Sequence, residues 1–326
     1  MPEIALQDVY LARRRIASLA VHSPLISSPP LSALVAGRVY LKAEIYQRTG
    51  SFKIRGAANM ILSLPEGEKA RGVITASTGN HGRAVAYVAR GCGVQATVCI
   101  SDGVPQDKVE ALRELGAEVV IHGRSQDDAF EKAGQLREQH GYTMVPPFDD
   151  AAIIAGQGTI GLEIMEDLPE VGVVLVPVSG GGLVSGIAKT IKSMNASIRV
   201  IGASMGRSPV MYQSLKAGKP VQMEEAESLA DSLQGGIGLD NQFTFSMVQK
   251  YVDDLVLVSE ADIAAAMRFA FEHHHMVLEG AGAVGIAALM QKKVNPGDED
   301  IVVVLSGGNV SVNAFLETLK RFRRET

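Results

Sequence analysis

The 326 residues carry 36 acidic and 31 basic side chains, a formal net charge of −5, and no long single-sign block, which excludes the basic footprint of a nucleic-acid-binding surface. With 46% hydrophobic and 21% charged residues, the chain is too apolar for disorder and long enough for two domains or one large α/β unit. Two cysteines, Cys92 and Cys99, are too few for a disulfide framework and lack the paired spacing of zinc ligands. They read as reduced thiols in the cytoplasm, and a small molecule is the expected partner.

Near the N-terminus, Arg13, Arg14 and Arg15 fit an amphipathic helix with a basic face. The apolar stretch that follows is short and lacks the small-residue cleavage pattern of a signal peptide. Strand-like β-branched runs then recur at 39–41, 72–76, 96–100, 118–121, 173–178, 198–203, 255–258 and 301–305. Between them, 81–90, 106–115, 127–136 and 261–271 show helical apolar spacing. Such alternation predicts an α/β fold of parallel sheets covered by helices. The uncharged run 171–188 reaches the length of a membrane span, but Pro177, Ser179 and three glycines break it into strand, turn and helix. No membrane segment, repeat or low-complexity tract is expected.

Four short motifs fall at the ends or starts of these elements. In Ser51-Phe52-Lys53-Ile54-Arg55-Gly56 a lysine opens an apparent helix beside an aromatic ring; alone, such a lysine is by default a solvated surface charge. Ser77-Thr78-Gly79-Asn80-His81-Gly82 follows a strand and opens a helix, where unpaired N–H groups and the macrodipole favour a carboxylate. Simple N-capping needs fewer hydroxyls and amides than this motif supplies. Ser179-Gly180-Gly181-Gly182 joins a strongly apolar strand to a helix, and successive glycines let backbone N–H groups converge on a phosphate; a bare glycine turn is the alternative. The dinucleotide fingerprint fails here because Ser185 and Ser204 replace the required glycine and acid, and Walker A fails at Ile187. Leu305-Ser306-Gly307-Gly308-Asn309 ends a further buried strand, the place where open α/β sheets gather ligands. His273, His274 and His275 are adjacent on a helix and cannot converge on one ion, so no metal site is read there. His81 reads as a satisfied structural imidazole.

In this order, and with Ala155-Gly156-Gln157-Gly158-Thr159-Ile160-Gly161 between them, the motifs resemble the fold-type II pyridoxal-phosphate (PLP) enzymes, specifically the threonine dehydratase and serine racemase group. The likeness runs over nearly the whole chain. It implies a tryptophan synthase β-like two-domain fold: a large domain from 1–70 and 151–326, and a small mobile substrate domain at 71–150. It implies a homodimer with pyridoxal 5'-phosphate as cofactor. Lys53 becomes the Schiff-base lysine. Phe52, Asn80, Ser179, Gly180, Gly181, Gly182, Leu183, Glu279 and Ser306 become cofactor contacts, with the three glycines on the phosphate and Ser306 at the pyridine nitrogen. Ser77, Thr78, Gly79, Asn80 and His81 take the substrate side. The expected reaction is loss of water from a β-hydroxy α-amino acid, with Lys53 removing the α-proton and release of a 2-oxo acid and ammonia. A neutral serine at the ring nitrogen makes a weaker electron sink than a carboxylate would, which favours prompt β-elimination.

Several departures matter. Ser179 stands where many relatives have a first glycine. Thr78 stands where serine racemases place a hydroxyl acid that acts on the opposite face, so it joins Lys53 as a catalytic candidate and racemisation stays open as a second reading. The family's divalent-cation carboxylates would fall at Ser204 and Val210, so no metal is expected. Ala230-Asp231-Ser232-Leu233-Gln234-Gly235-Gly236 resembles the hydroxyectoine-utilisation dehydratase subgroup, which makes Ser232 and Gln234 candidate contacts for a longer, polar substrate arm. The chain ends soon after the last apparent helix, leaving no room for an amino-acid-sensing C-terminal domain.

Overall fold

The computed structural model describes residues 4–322. Ten strands are present among them: β1 (Leu25–Ser27), β2 (Val39–Ala43), β3 (Val73–Ala76), β4 (Ala96–Ile100), β5 (Glu118–Ile121), β6 (Thr143–Met144), β7 (Val173–Pro177), β8 (Arg199–Met205), β9 (Asp254–Val258) and β10 (Ile301–Leu305). They form two sheets, one ordered β5-β4-β3-β6 and one ordered β1-β2-β10-β7-β8-β9. Every pairing is parallel except β1 with β2. Helices connect the strands throughout, which is the expected α/β class.

The central strands are apolar from end to end because both faces are covered. Every residue of β3, β4, β7 and β10 is buried, as parallel sheets require. Strand β9, at an edge, has an exposed first residue and only two fully buried positions.

The chain divides into two compact units. One takes the described part of Met1–Val21 together with Gln47–Gln157; the other takes His22–Tyr46 and the described part of Gly158–Thr326. The first is larger than the 71–150 segment expected as the small domain, because it also holds the helices Leu6–Ile16 and Lys53–Ser63. Packing explains the difference: Ile16, Ile54, Ala57, Ala58 and Ile61 share one buried cluster with Val85, Val88 and Ala89 of the helix Asn80–Gly91. In the second unit the core lies between the six-stranded sheet and two helices, Glu260–His274 and Gly280–Met290.

Two features were invisible to periodicity. The helix Ala151–Asp167 carries three glycines and is buried on most sides. A Cβ at Gly156 would lie 2.6 Å from the Arg55 carbonyl oxygen, so the small residue permits close helix packing. In the second unit, Lys42 of β2 is fully buried; its Nζ lies 2.9 Å from Glu163 and 3.1 Å from Asp167, and donates to the Ser23 carbonyl at 2.6 Å.

Candidate active site

In the first unit, Lys53 is the first residue of its helix, preceded by Phe52 without a side-chain cap. A cation at that end opposes the helix macrodipole, so something must compensate. Lys53 Nζ donates to the Pro147 carbonyl at 2.7 Å and lies 5.2 Å from the centre of the Phe52 ring.

Strand β3 ends at Ala76, and residues 77–79 lead into the helix Asn80–Gly91. Ser77, Thr78 and Gly79 are half-buried, whereas Asn80 and His81 are buried. Gly79 occupies the N-cap with no side chain over the first turn, and its N–H donates to Ser77 Oγ at 3.4 Å. Gly82 is required by close approach: a Cβ there would sit 2.1 Å from the Ser77 carbonyl oxygen. The turn is thus pressed onto its own helix, with hydroxyls and the start of the helix side by side.

His81 is 3% exposed, and its Nε2 lies 2.9 Å from the Val145 carbonyl oxygen. Burial, reinforced by the nearby Lys53 charge, pushes its pKa down to about 3. The imidazole is neutral, and since a carbonyl only accepts, Nε2 carries the hydrogen. This matches the satisfied-imidazole reading.

In the second unit, β7 runs into Val178, Ser179 and Gly180, and the helix Gly182–Met194 begins behind Gly181. Gly181 has φ +89°, and a Cβ there would lie 2.9 Å from Met211 Cε and 3.0 Å from Thr244 Cβ. No side chain caps this helix, although Gly182 and Leu183 are buried. Ser306, 3% exposed, follows the last residue of β10. Because β10 pairs with β7 in parallel, Ser306 and the glycine turn leave the same edge of one sheet. Glu279, 4% exposed, is the N-cap of Gly280–Met290 and accepts from the Asn309 N–H at 3.2 Å. Its own N–H donates to the Gly307 carbonyl at 3.3 Å. These contacts join the Glu279 turn to the segment after Ser306.

Ser232 is exposed, with its N–H donating to Asp231 Oδ1 at 2.7 Å and its hydroxyl 3.3 Å from the same oxygen. Gln234 Nε2 donates to the Ala226 carbonyl at 2.6 Å. The three consecutive histidines diverge: His274 Nε2 meets Ser28 Oγ at 2.9 Å, His273 lies against Phe269, and His275 turns into the left-handed region at φ 56°. Among the described residues, no group of three or more His, Cys, Asp or Glu is arranged to hold a metal ion, and no helix is long and apolar enough to cross a membrane. Sequence reasoning missed the Val145 and Pro147 carbonyls, since a backbone acceptor leaves no residue-type signature; the adjacent Pro146 and Pro147 were the only local cue.

Residues 17–307 match the model of the pyridoxal-phosphate dependent enzymes. A Sinorhizobium fredii protein described as a threonine dehydratase is 49% identical over 326 residues, covering 100% of this chain and 98% of that one. The L-threonine ammonia-lyase of Thermotoga maritima is 45% identical over 95% of this chain and 77% of its own length. Among solved structures, maize serine racemase superposes with a TM-score of 0.91 at 32% identity, over 98% of each chain. The chain belongs to the pyridoxal-phosphate dependent enzyme family, and pyridoxal 5'-phosphate is its cofactor.

Proposed function

We propose that this protein is a dehydratase that eliminates water from a β-hydroxy α-amino acid, the released enamine then taking up water to give a 2-oxo acid and ammonia, with Lys53 as cofactor lysine and base. The observation that carries the proposal is Lys53 itself: a lysine at the unfavourable end of a helix, its Nζ held by the Pro147 carbonyl beside a buried neutral His81. The family resemblance of the Ser51–Gly56 motif supports the same lysine.

The residues present fit the cofactor. A buried helix start with no side-chain cap, behind a glycine with no room for a Cβ, suits a phosphate dianion on Gly180, Gly181, Gly182 and the Leu183 N–H, with Ser179 adding a hydroxyl. Ser306, neutral and buried at the end of β10, suits a heterocyclic nitrogen, with Phe52, Asn80 and Glu279 as the remaining contacts. When bound, the cofactor supplies an electron sink for the charge left at the substrate α-carbon.

The chain's own groups do the rest. The uncapped helix start at residues 77–81 binds the substrate carboxylate through Ser77, Thr78, Gly79, Asn80 and the His81 N–H. Lys53 Nζ takes the α-proton, and a neutral His81 adds no second cation that would keep the amine from acting as a base. Thr78 offers a hydroxyl as the acid on the opposite face. Residues 71–150 are proposed as the mobile substrate-carrying part.

Substrate and setting are further proposals. The similarity of residues 230–236 to the hydroxyectoine-utilisation subgroup supports a hydroxylated diamino acid over threonine, with Ser232 and Gln234 pairing its polar arm after exchanging their present local partners. We place the protein in the cytoplasm as a homodimer. Ammonia release from a panel of β-hydroxy amino acids tests the reading: no release from any member refutes the dehydratase, and a better kcat/KM on threonine refutes the subgroup. The likeness to maize serine racemase favours racemisation as the second reading, which recovered amino acid of inverted configuration would reveal.

A further inference from the structure

Lys53 and His81 are held by one short piece of chain. Thr75 Oγ1 and His81 Nε2 both donate to the Val145 carbonyl, each at 2.9 Å. Two residues later the Pro147 carbonyl accepts Lys53 Nζ at 2.7 Å. Val145 is fully buried, and its own N–H is tied to the Ile74 carbonyl at 2.9 Å. Pro146 and Pro147 have ring-locked φ angles, so little freedom remains between the first carbonyl and the second. Fixing the Val145 carbonyl therefore fixes the acceptor that holds the lysine amine.

We infer that His81 is a positioning residue for Lys53, acting through residues 145–147: its Nε2–H anchors the Val145 carbonyl, and the proline pair carries that anchor to the Pro147 carbonyl. The choice of histidine follows from the chemistry of the place. The anchor must donate a hydrogen bond to the Val145 carbonyl, do so from a buried position, and stay uncharged beside a lysine. A buried imidazole meets all three conditions, because desolvation and the neighbouring amine keep it neutral. A purely space-filling role would not need the donor.

The inference rests on Lys53 being the cofactor lysine, and the experiment separates the two. The full-length chain is stripped of cofactor with hydroxylamine, pyridoxal 5'-phosphate is added back, and the rate of capture is followed by visible absorbance. Borohydride reduction and peptide mapping then locate the attachment. His81→Leu removes the donor and keeps bulk; His81→Gln restores a donor near the Nε2 position. His81→Leu is expected to capture cofactor about five-fold more slowly, the worth of one buried hydrogen bond, and His81→Gln to stay within about two-fold of the parent. Pro147→Gly should slow capture similarly, and the double variant His81→Leu/Pro147→Gly should be no slower than the slower single one, since both act on one path. A parental rate in His81→Leu, a His81→Gln as slow as His81→Leu, or a double variant slowed by the product of the two would overturn the inference. Attachment at a lysine other than Lys53 would overturn the underlying reading as well. If His81→Leu does not fold, Thr75→Val, which removes the second donor to the same carbonyl, carries the test: roughly two-fold slower capture supports the anchor, and a parental rate overturns it.

Discussion

Replacing Gly181 by alanine tests the proposed phosphate cradle at its least forgiving atom. At φ +89° and ψ −11° the residue sits in the left-handed region, which costs a non-glycine about 1–2 kcal/mol. The added Cβ also meets Thr244 Cβ at 3.0 Å, Met211 Cε at 2.9 Å and Val248 Cγ2 at 3.3 Å. The methionine tip can move aside, but Thr244 is fully buried, so overpacking adds roughly 1–3 kcal/mol. A total of about 2–5 kcal/mol must appear as lost stability or be relieved by turning the loop, which withdraws the N–H groups of Gly182 and Leu183 from the phosphate. Thermal melts of the loaded enzyme, together with a cofactor titration, read both outcomes. The expected result is a Tm at least about 4 °C lower and weaker cofactor binding. Gly134→Ala is the control, because that glycine lies inside the helix Gln126–His140 with nothing within 4 Å of the new Cβ; it should gain roughly 0.5–1 kcal/mol. A Gly181→Ala protein that melts and binds cofactor like the parent would refute the reasoning.

Lys53→Ala should retain the fold but lose borohydride-fixable cofactor and turnover, and a labelled peptide containing any other lysine would show the assignment to be wrong. Lys42→Ala removes the ammonium 2.9 Å from the buried Glu163 carboxylate and should cost about 3–5 kcal/mol in urea unfolding, much of it recovered in Lys42→Met/Glu163→Leu; an unchanged midpoint would contradict this. His81 is neutral in the fold with a pKa of about 3, whereas an unfolded histidine titrates near ~6.5. Below that value the unfolded chain binds the extra proton, so stability falls as pH drops from about 6.5 towards about 3, by up to ~1.4 kcal/mol per pH unit. Removing the imidazole in His81→Gln should flatten that part of the stability–pH curve, and an unaltered slope would exclude His81 as its source.

What was legible in the sequence and what was not divide along physical lines. Strands β7 and β10 could be read directly, since a parallel strand buried on both faces must be a continuous β-branched run. The two residues of β6 and three of β1 are too few to show a period. Ala151–Asp167 and Gly280–Met290 escaped because a helix buried nearly all round has no polar face to mark its turns, and their glycines, which suggest loops, serve close packing: a Cβ at Gly161 would lie 2.9 Å from Thr190 Cβ, and one at Gly282 2.4 Å from the Gly307 carbonyl oxygen. The same contrast holds at the site. Lys53, the hydroxyl turn at Ser77 and the glycine turn at Gly180 announce themselves by residue type and order, whereas the carbonyls of Val145 and Pro147 do not.

Serine by itself is among the least informative residue types, yet at the end of a buried strand its position carries information. Ser77, Ser179 and Ser306 follow the last residues of β3, β7 and β10 at short distance, and each of those strands is flanked by a neighbour on both sides. In a parallel sheet all C-terminal ends emerge on one edge, so in the six-stranded sheet the adjacent pair β7 and β10 delivers Ser179 and Ser306 together without any loop having to travel. A hydroxyl just beyond a buried strand is small enough to turn sharply and polar enough to meet a ligand where the apolar core stops. The strand supplies rigidity, and the turn supplies the donor. The chemistry therefore follows from the order of strands in the sheet as much as from the residues at its edge.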